Sequence, residues 1–167
     1  MPTAIRGRGL AAIKALRFQA DLCRIELETG ELCLNWVAAK SMESARAWLV
    51  ALPGVGPKTT AYVLLFSLGQ PTMPVDTHVR RVNRRLGLID RRASAVNTDQ
   101  VLEHLTGPDR GAVYELHLNL IAHGRVVCHA RRPAYHRCVL VALCPSAPQS
   151  PPATRSVATG GRPANPD

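Results

Sequence analysis

Hydrophobic positions recur with a helical period along most of this chain, and the elements they predict are helices. Over residues 9–27, Leu10, Ile13, Leu16, Ala20, Cys23 and Ile25 fall roughly on one helical face. Gly30 breaks that pattern, and a short segment from Leu32 to Ala39 follows. Ser41 offers a side-chain acceptor to the first turn of a helix running to Ala51, and Glu43 suits the positive end of its dipole. Its expected inward face is Ala45, Trp48, Leu49 and Leu52. Pro53 ends that helix, Gly54 and Gly56 permit a tight hairpin, and Pro57 suits the first position of the next helix. That helix, to about Leu68, is apolar nearly all round through Ala61-Tyr62-Val63-Leu64-Leu65-Phe66, so it is expected to be central and buried. Gly69 closes it, and Pro71 and Pro74 mark an extended connection. Asp76 opens a helix with Val79, Val82 and Leu86 inward, Arg80, Arg81, Arg84 and Arg85 on its outer faces, and Gly87 just past its end. Two more helices are expected at about 97–106 and 110–124. The fold class is all-α, with no internal repeat. From Pro145 onward Pro, Ser, Ala and Gly dominate without periodicity, so 146–167 is expected to be a disordered tail.

Composition changes the picture in one respect. The chain has 167 residues, enough for one domain with a real core, and its aromatic content is only 4%. The core must therefore be built from Leu, Val, Ile and Ala. A formal charge of +9 favours a polyanionic partner, most economically nucleic acid; arginine-rich proteome bias is the bland alternative. Of 21 basic residues only Lys14, Lys40 and Lys58 are lysines, so the lysine beside the hairpin is conspicuous. No apolar run reaches membrane-spanning length, and Met1-Pro2-Thr3-Ala4-Ile5-Arg6 lacks the apolar core of a signal peptide. A reducing, cytoplasmic setting is expected, in which five cysteines are thiols or metal ligands rather than disulfides.

The candidate chemistry lies in two short stretches, Leu52-Pro53-Gly54-Val55-Gly56-Pro57-Lys58-Thr59 and Pro74-Val75-Asp76-Thr77-His78. Two glycines between helices can turn backbone N–H groups outward and, with the following helix start, hold a phosphate without reading bases. A plain structural turn is an equal reading of the hairpin alone. Lys58 opposes the helix dipole, a penalty of roughly 0.3–1 kcal/mol, and the same field favours the neutral amine that nucleophilic attack requires. A surface lysine neutralising a phosphate is the simpler alternative. Asp76 is a preferred N-cap, which is compatible with taking a proton or stabilising positive charge on a sugar ring. His78 reads as a helix-terminus or phosphate contact.

Residues 52–88, from Leu-Pro-Gly-Val-Gly-Pro-Lys-Thr through Val-Asp-Thr-His to Arg-Leu-Gly-Leu, resemble the helix-hairpin-helix and Gly-Pro-Asp (HhH-GPD) signature of the endonuclease III family of DNA glycosylases. The likeness continues through Leu120-Ile121-Ala122-His123-Gly124-Arg125 and the following cysteines, covering about residues 5–145. The resemblance implies a HhH-GPD helical region over 1–127, an iron–sulfur-loop-like segment over 128–145 and the tail. It implies that Lys58 attacks C1′ of a flipped-out nucleotide and Asp76 activates the amine. β-Elimination then nicks the strand on the 3′ side of the abasic site. The adenine-mismatch branch lacks the lysine, so Lys58 points to the bifunctional branch acting on oxidised pyrimidines. Leu52, Gly54, Val55, Gly56, Thr59, His78, Arg80, Arg81 and Arg84 are the implied DNA contacts. The implied partner is double-stranded DNA carrying a damaged base or abasic site, bound by a monomer at the nucleoid. A non-catalytic DNA-binding remnant and a monofunctional glycosylase are the alternatives.

Two departures from the family pattern stand out. The family binds a four-iron four-sulfur cluster through four cysteines; here Cys128, Cys138 and Cys144 keep their places, and Tyr135 stands at the fourth. Cys23 and Cys33 are expected to be small buried residues. The resemblance also begins near residue 5, so the chain is expected to lack family helices that precede this region. One side of the 57–68 helix is then expected to be exposed.

Overall fold

The computed structural model describes residues 11–90, 92 and 95–148, and among them it is all helical, with no strand. Seven α-helices follow in order: α1 (Ala11–Thr29), α2 (Asn35–Ala38), α3 (Met42–Val50), α4 (Pro57–Tyr62), α5 (Thr77–Leu86), α6 (Ala95–Thr106) and α7 (Arg110–Val126). Residues 149–167, most of the expected tail, lie outside the described residues, as does Leu10.

The helix boundaries follow from local chemistry. Ser41 accepts from the Ser44 amide at 3.3 Å, and Asp76 accepts from the Val79 amide at 2.8 Å. Pro57 begins α4, where its missing N–H removes no helical bond. Gly87 ends α5 at φ +74°, a left-handed cap that a Cβ would strain.

Two apolar clusters form the core. Val37, Ala45, Leu49, Leu52 and Leu64 make one. Leu65, Met73, Val79, Val82, Leu102, Val113, Leu120 and Cys128 make the other. The neighbours Leu64 and Leu65 thus face different clusters. Between them the helix begun by α4 widens into a π turn, Val63–Ser67, in which the Leu68 amide reaches back to Val63 O at 3.1 Å.

The connection that carries Asp76 is tied down along its length. Gln70 Nε2 donates to Ala38 O at 3.1 Å, Thr72 Oγ1 to Ala61 O at 3.0 Å, and the Met73 amide to Glu103 Oε1 at 2.8 Å. Glu103 is itself held by Arg46 at 2.6 Å, so α3, α6 and the connection share one polar knot.

Several sequence expectations need correction. The apolar positions read over 9–27 are mostly not core: Ile13 is 47% and Leu16 is 68% exposed, and among the described side chains of α1 only Ala15 and Ile25 are buried. Periodicity defines a face but not what lies against it. Cys23 is exposed and Cys33 half-buried, not core residues. The 57–68 helix is less enclosed than its composition suggests, with Phe66 38% exposed while Leu64 and Leu65 are fully buried.

Candidate active site and nucleic-acid interface

The hairpin between α3 and α4 turns as its glycines predict. The Val55 amide donates to Leu52 O at 3.1 Å, and Gly54 has φ +82°. A Cβ on Gly54 would also stand 2.8 Å from Arg17 Cδ, so α1 packs an arginine directly onto the turn. Leu52 is buried beneath it, Val55 and Gly56 are half-buried, and Gly54 and Thr59 are exposed. Lys58 is exposed in the first turn of α4, not buried beside the hairpin.

Lys58 and Asp76, eighteen positions apart in sequence, line one open cleft of about 370 Å³ together with Val75, Thr77, His78, Arg80 and Arg125. The Lys58 ammonium lies 6.0 Å from the centre of the Tyr62 ring, one turn along its own helix. Asp76 spends Oδ1 on its capping bond to Val79, which fixes the carboxylate at the mouth of α5. Burial pushes the Tyr62 phenol up, the Asp76 carboxylate adds to that shift, and Arg125 opposes it. An amine, a fixed carboxylate and two arginines thus share a solvent-open cleft, with the Tyr62 ring near the amine.

The α5 arginines divide into different roles. Arg81 donates to Gly124 O at 2.7 Å and Cys128 O at 2.9 Å, and meets His78 Nδ1 at 2.9 Å, so its guanidinium clamps α5 to α7. Arg85 donates to His129 O at 2.6 Å and Ala130 O at 2.8 Å. Sequence reading places both on outer faces; the structure turns them toward the 127–134 loop. Arg84 is exposed, and Arg80 lines both the Lys58 cleft and a second cleft of about 450 Å³ bounded by Arg81, Arg84 and Arg85. His78 is half-buried against Gly124, where an added Cβ would stand 2.9 Å from His78 Cβ. Gly124→Ala is therefore expected to lower stability by about 1–3 kcal/mol, read as a shifted urea midpoint, because the obstructing atom is next to backbone and cannot swing away.

Cys128, Cys138, Cys144 and Tyr135 line one narrow apolar cavity with His123. Each has a protein partner. Cys128 Sγ accepts from Arg85 at 3.1 Å, Cys144 donates to Arg85 O at 3.3 Å, and Cys138 Sγ lies 3.7 Å from His123 Nε2. The Tyr135 hydroxyl donates to Ser146 O at 2.7 Å. Among the described residues no group of three or more His, Cys, Asp or Glu is close enough to hold a metal ion.

Two neighbours of the pair, Tyr62 and His117, carry no functional mark in the sequence, and Arg125 is marked only as part of the Leu120–Arg125 stretch. Tyr62 could have drawn notice only through its helical spacing of four residues from Lys58.

Known proteins that resemble this chain in sequence and structure point to one family. The chain is 41% identical over 96 residues to endonuclease III of Rickettsia prowazekii and 38% identical over 96 residues to endonuclease III of Bacillus subtilis. It superposes on a solved endonuclease III trapped in a covalent intermediate with DNA, with a TM-score of 0.70 and 31% identity over 87% of this chain and 63% of that one. A non-covalent endonuclease III–DNA complex gives a TM-score of 0.71 at 30% identity. In sequence and in fold the chain is similar to the endonuclease III family. Its fold is the HhH-GPD helical fold that the signature implies. The endonuclease III of R. prowazekii aligns over 58% of this chain, and the match takes in 44% of that protein; for the B. subtilis protein the share is 43%. The chain thus spans less than half the length of these curated endonuclease III relatives. No protein-family model matches it. Among the described residues no helix is long and apolar enough to cross a membrane.

Proposed function

We propose that this chain is a member of the endonuclease III family and a base-excision-repair DNA glycosylase with abasic-site lyase activity, acting on oxidised pyrimidines in double-stranded DNA. The observation that carries the reading is the shared cleft of Lys58 and Asp76. In the proposed reaction the neutral Lys58 amine attacks C1′ of an extruded nucleotide, and the bond to the damaged base breaks as the base leaves. Asp76 accepts the amine's proton and stabilises positive charge developing on the sugar. The sugar ring opens to a Schiff base on Nζ. Loss of a C2′ proton then expels the 3′ phosphate, which nicks the strand. The hairpin amides around Gly54–Gly56, with Arg80 and Arg84, supply sequence-independent contacts to phosphate.

Borohydride added to the purified chain and abasic duplex is expected to give a covalent protein–DNA adduct. Base release without an adduct supports a monofunctional glycosylase. Salt-dependent binding with neither product supports a DNA-binding remnant.

The cysteine loop does not fit a four-thiolate cluster. Tyr135 occupies the fourth position with its hydroxyl committed to Ser146, and Arg85 fastens the loop through Cys128, His129 and Ala130. We propose that protein hydrogen bonds hold this loop. Substoichiometric iron and no absorbance band at about 400 nm are expected, with Tyr135→Cys gaining both. Stoichiometric iron in the unaltered chain overturns this.

A further inference from the structure

His117 is fully buried in the middle of α7, at 0% exposure. The Tyr62 and Phe66 rings meet it edge-on, at centroid distances of 5.2 Å and 5.7 Å. Neither ring nitrogen has a partner of good geometry; the Pro74 carbonyl is the one backbone group near enough to act on the ring as a weak hydrogen-bond partner. A buried imidazole with no more than a weak carbonyl partner is a poor core residue where an apolar ring would fit, and such exceptions call for a reason. The place of this one supplies it. Tyr62 is the ring over which the Lys58 ammonium sits. Burial lowers the His117 pKa, and the Asp76 carboxylate and the Pro74 backbone partly oppose that. The imidazole therefore stays neutral near pH 7 while feeling the segment that carries Asp76.

We propose that His117 is a positioning residue for the Lys58–Asp76 pair, keying the Tyr62 ring beneath Lys58 to the Pro74–Asp76 segment. The inference rests on the catalytic reading of that pair. The ionisable groups that act on or touch His117 are Asp76 and Tyr62, Tyr114 shares its contact with Phe66, and Lys58 and Arg125 line the cleft.

The test compares the unaltered chain with His117→Phe and His117→Gln for borohydride trapping on abasic duplex, DNA affinity and melting temperature. Because Phe removes a poorly satisfied buried polar group, it is expected to melt about as the parent does and to bind DNA equally well. Its trapping rate should nevertheless fall about tenfold or more, since small misplacements of reacting groups are costly. Gln, which keeps a polar edge, is expected to recover part of the rate. Trapping by His117→Phe at the parental rate, or a rate that falls only in step with melting temperature, overturns the proposal. If the unaltered chain forms no adduct, the catalytic reading fails, and nuclear magnetic resonance decides the coupling separately. The His117 titration should move to lower pH in Asp76→Asn, because the carboxylate that raises it is gone; an unchanged titration overturns the proposal.

Discussion

Lys58→Ala is expected to abolish borohydride trapping and to slow strand nicking at least about a thousandfold, since no second amine is in place to form the Schiff base. Lys14 and Lys40 are the chain's other lysines, and neither lines the cleft. The loss should come without a folding defect. Lys58 is exposed at a helix start, where its charge opposes the dipole, so stability is expected to change by less than about 0.5 kcal/mol. Gel-resolved adduct yield and nicking rate, beside an unfolding curve, check both halves. Residual trapping near the parental level would mean that another amine, such as the chain terminus, is the nucleophile.

Asp76→Asn should separate two duties held by one carboxylate. Asparagine caps a helix about as well as aspartate, so the bond to Val79 can persist and the fold should be nearly unchanged. The amide can neither take the Lys58 proton nor carry charge toward the sugar, so the rate is expected to fall roughly 10²–10⁴-fold. Asp76→Ala loses the same activity and also the cap, adding about 1 kcal/mol of destabilisation. Single-turnover rates with equilibrium unfolding on both variants give the comparison. Equal activity of Asp76→Asn and the parent would leave Asp76 with capping alone.

These two residues were legible because local physics marks them. A glycine hairpin needs positive φ, a helix start needs a capping oxygen, and each requirement appears in sequence as a residue type at a fixed offset. Gly54, Pro57, Asp76 and Gly87 all behave as their offsets predict. Longer-range choices are not written that way. Arg81 and Arg85 look like solvent-facing cations, yet the end of α7 and the 127–134 loop offer them carbonyls that water would otherwise satisfy. The face of α1 shows a clean period, yet Leu16 and Leu27 stay exposed. His117 was invisible because its significance depends on α7 packing against the Tyr62 and Phe66 rings, a long-range contact that no local offset encodes.

The division of Leu64 and Leu65 between two apolar clusters bears on how the active cleft fails. Lys58 is borne by the helix that leans on the first cluster through Leu64, while Asp76 caps a helix that Val79 and Val82 root in the second. Opening either cluster separates the amine from the carboxylate while the other half keeps its helices. Partial, reversible openings of this kind lie below global unfolding in free energy. Heat inactivation should therefore set in before the bulk loss of helical signal, and slow amide exchange should fall into two kinetic groups divided at the π turn.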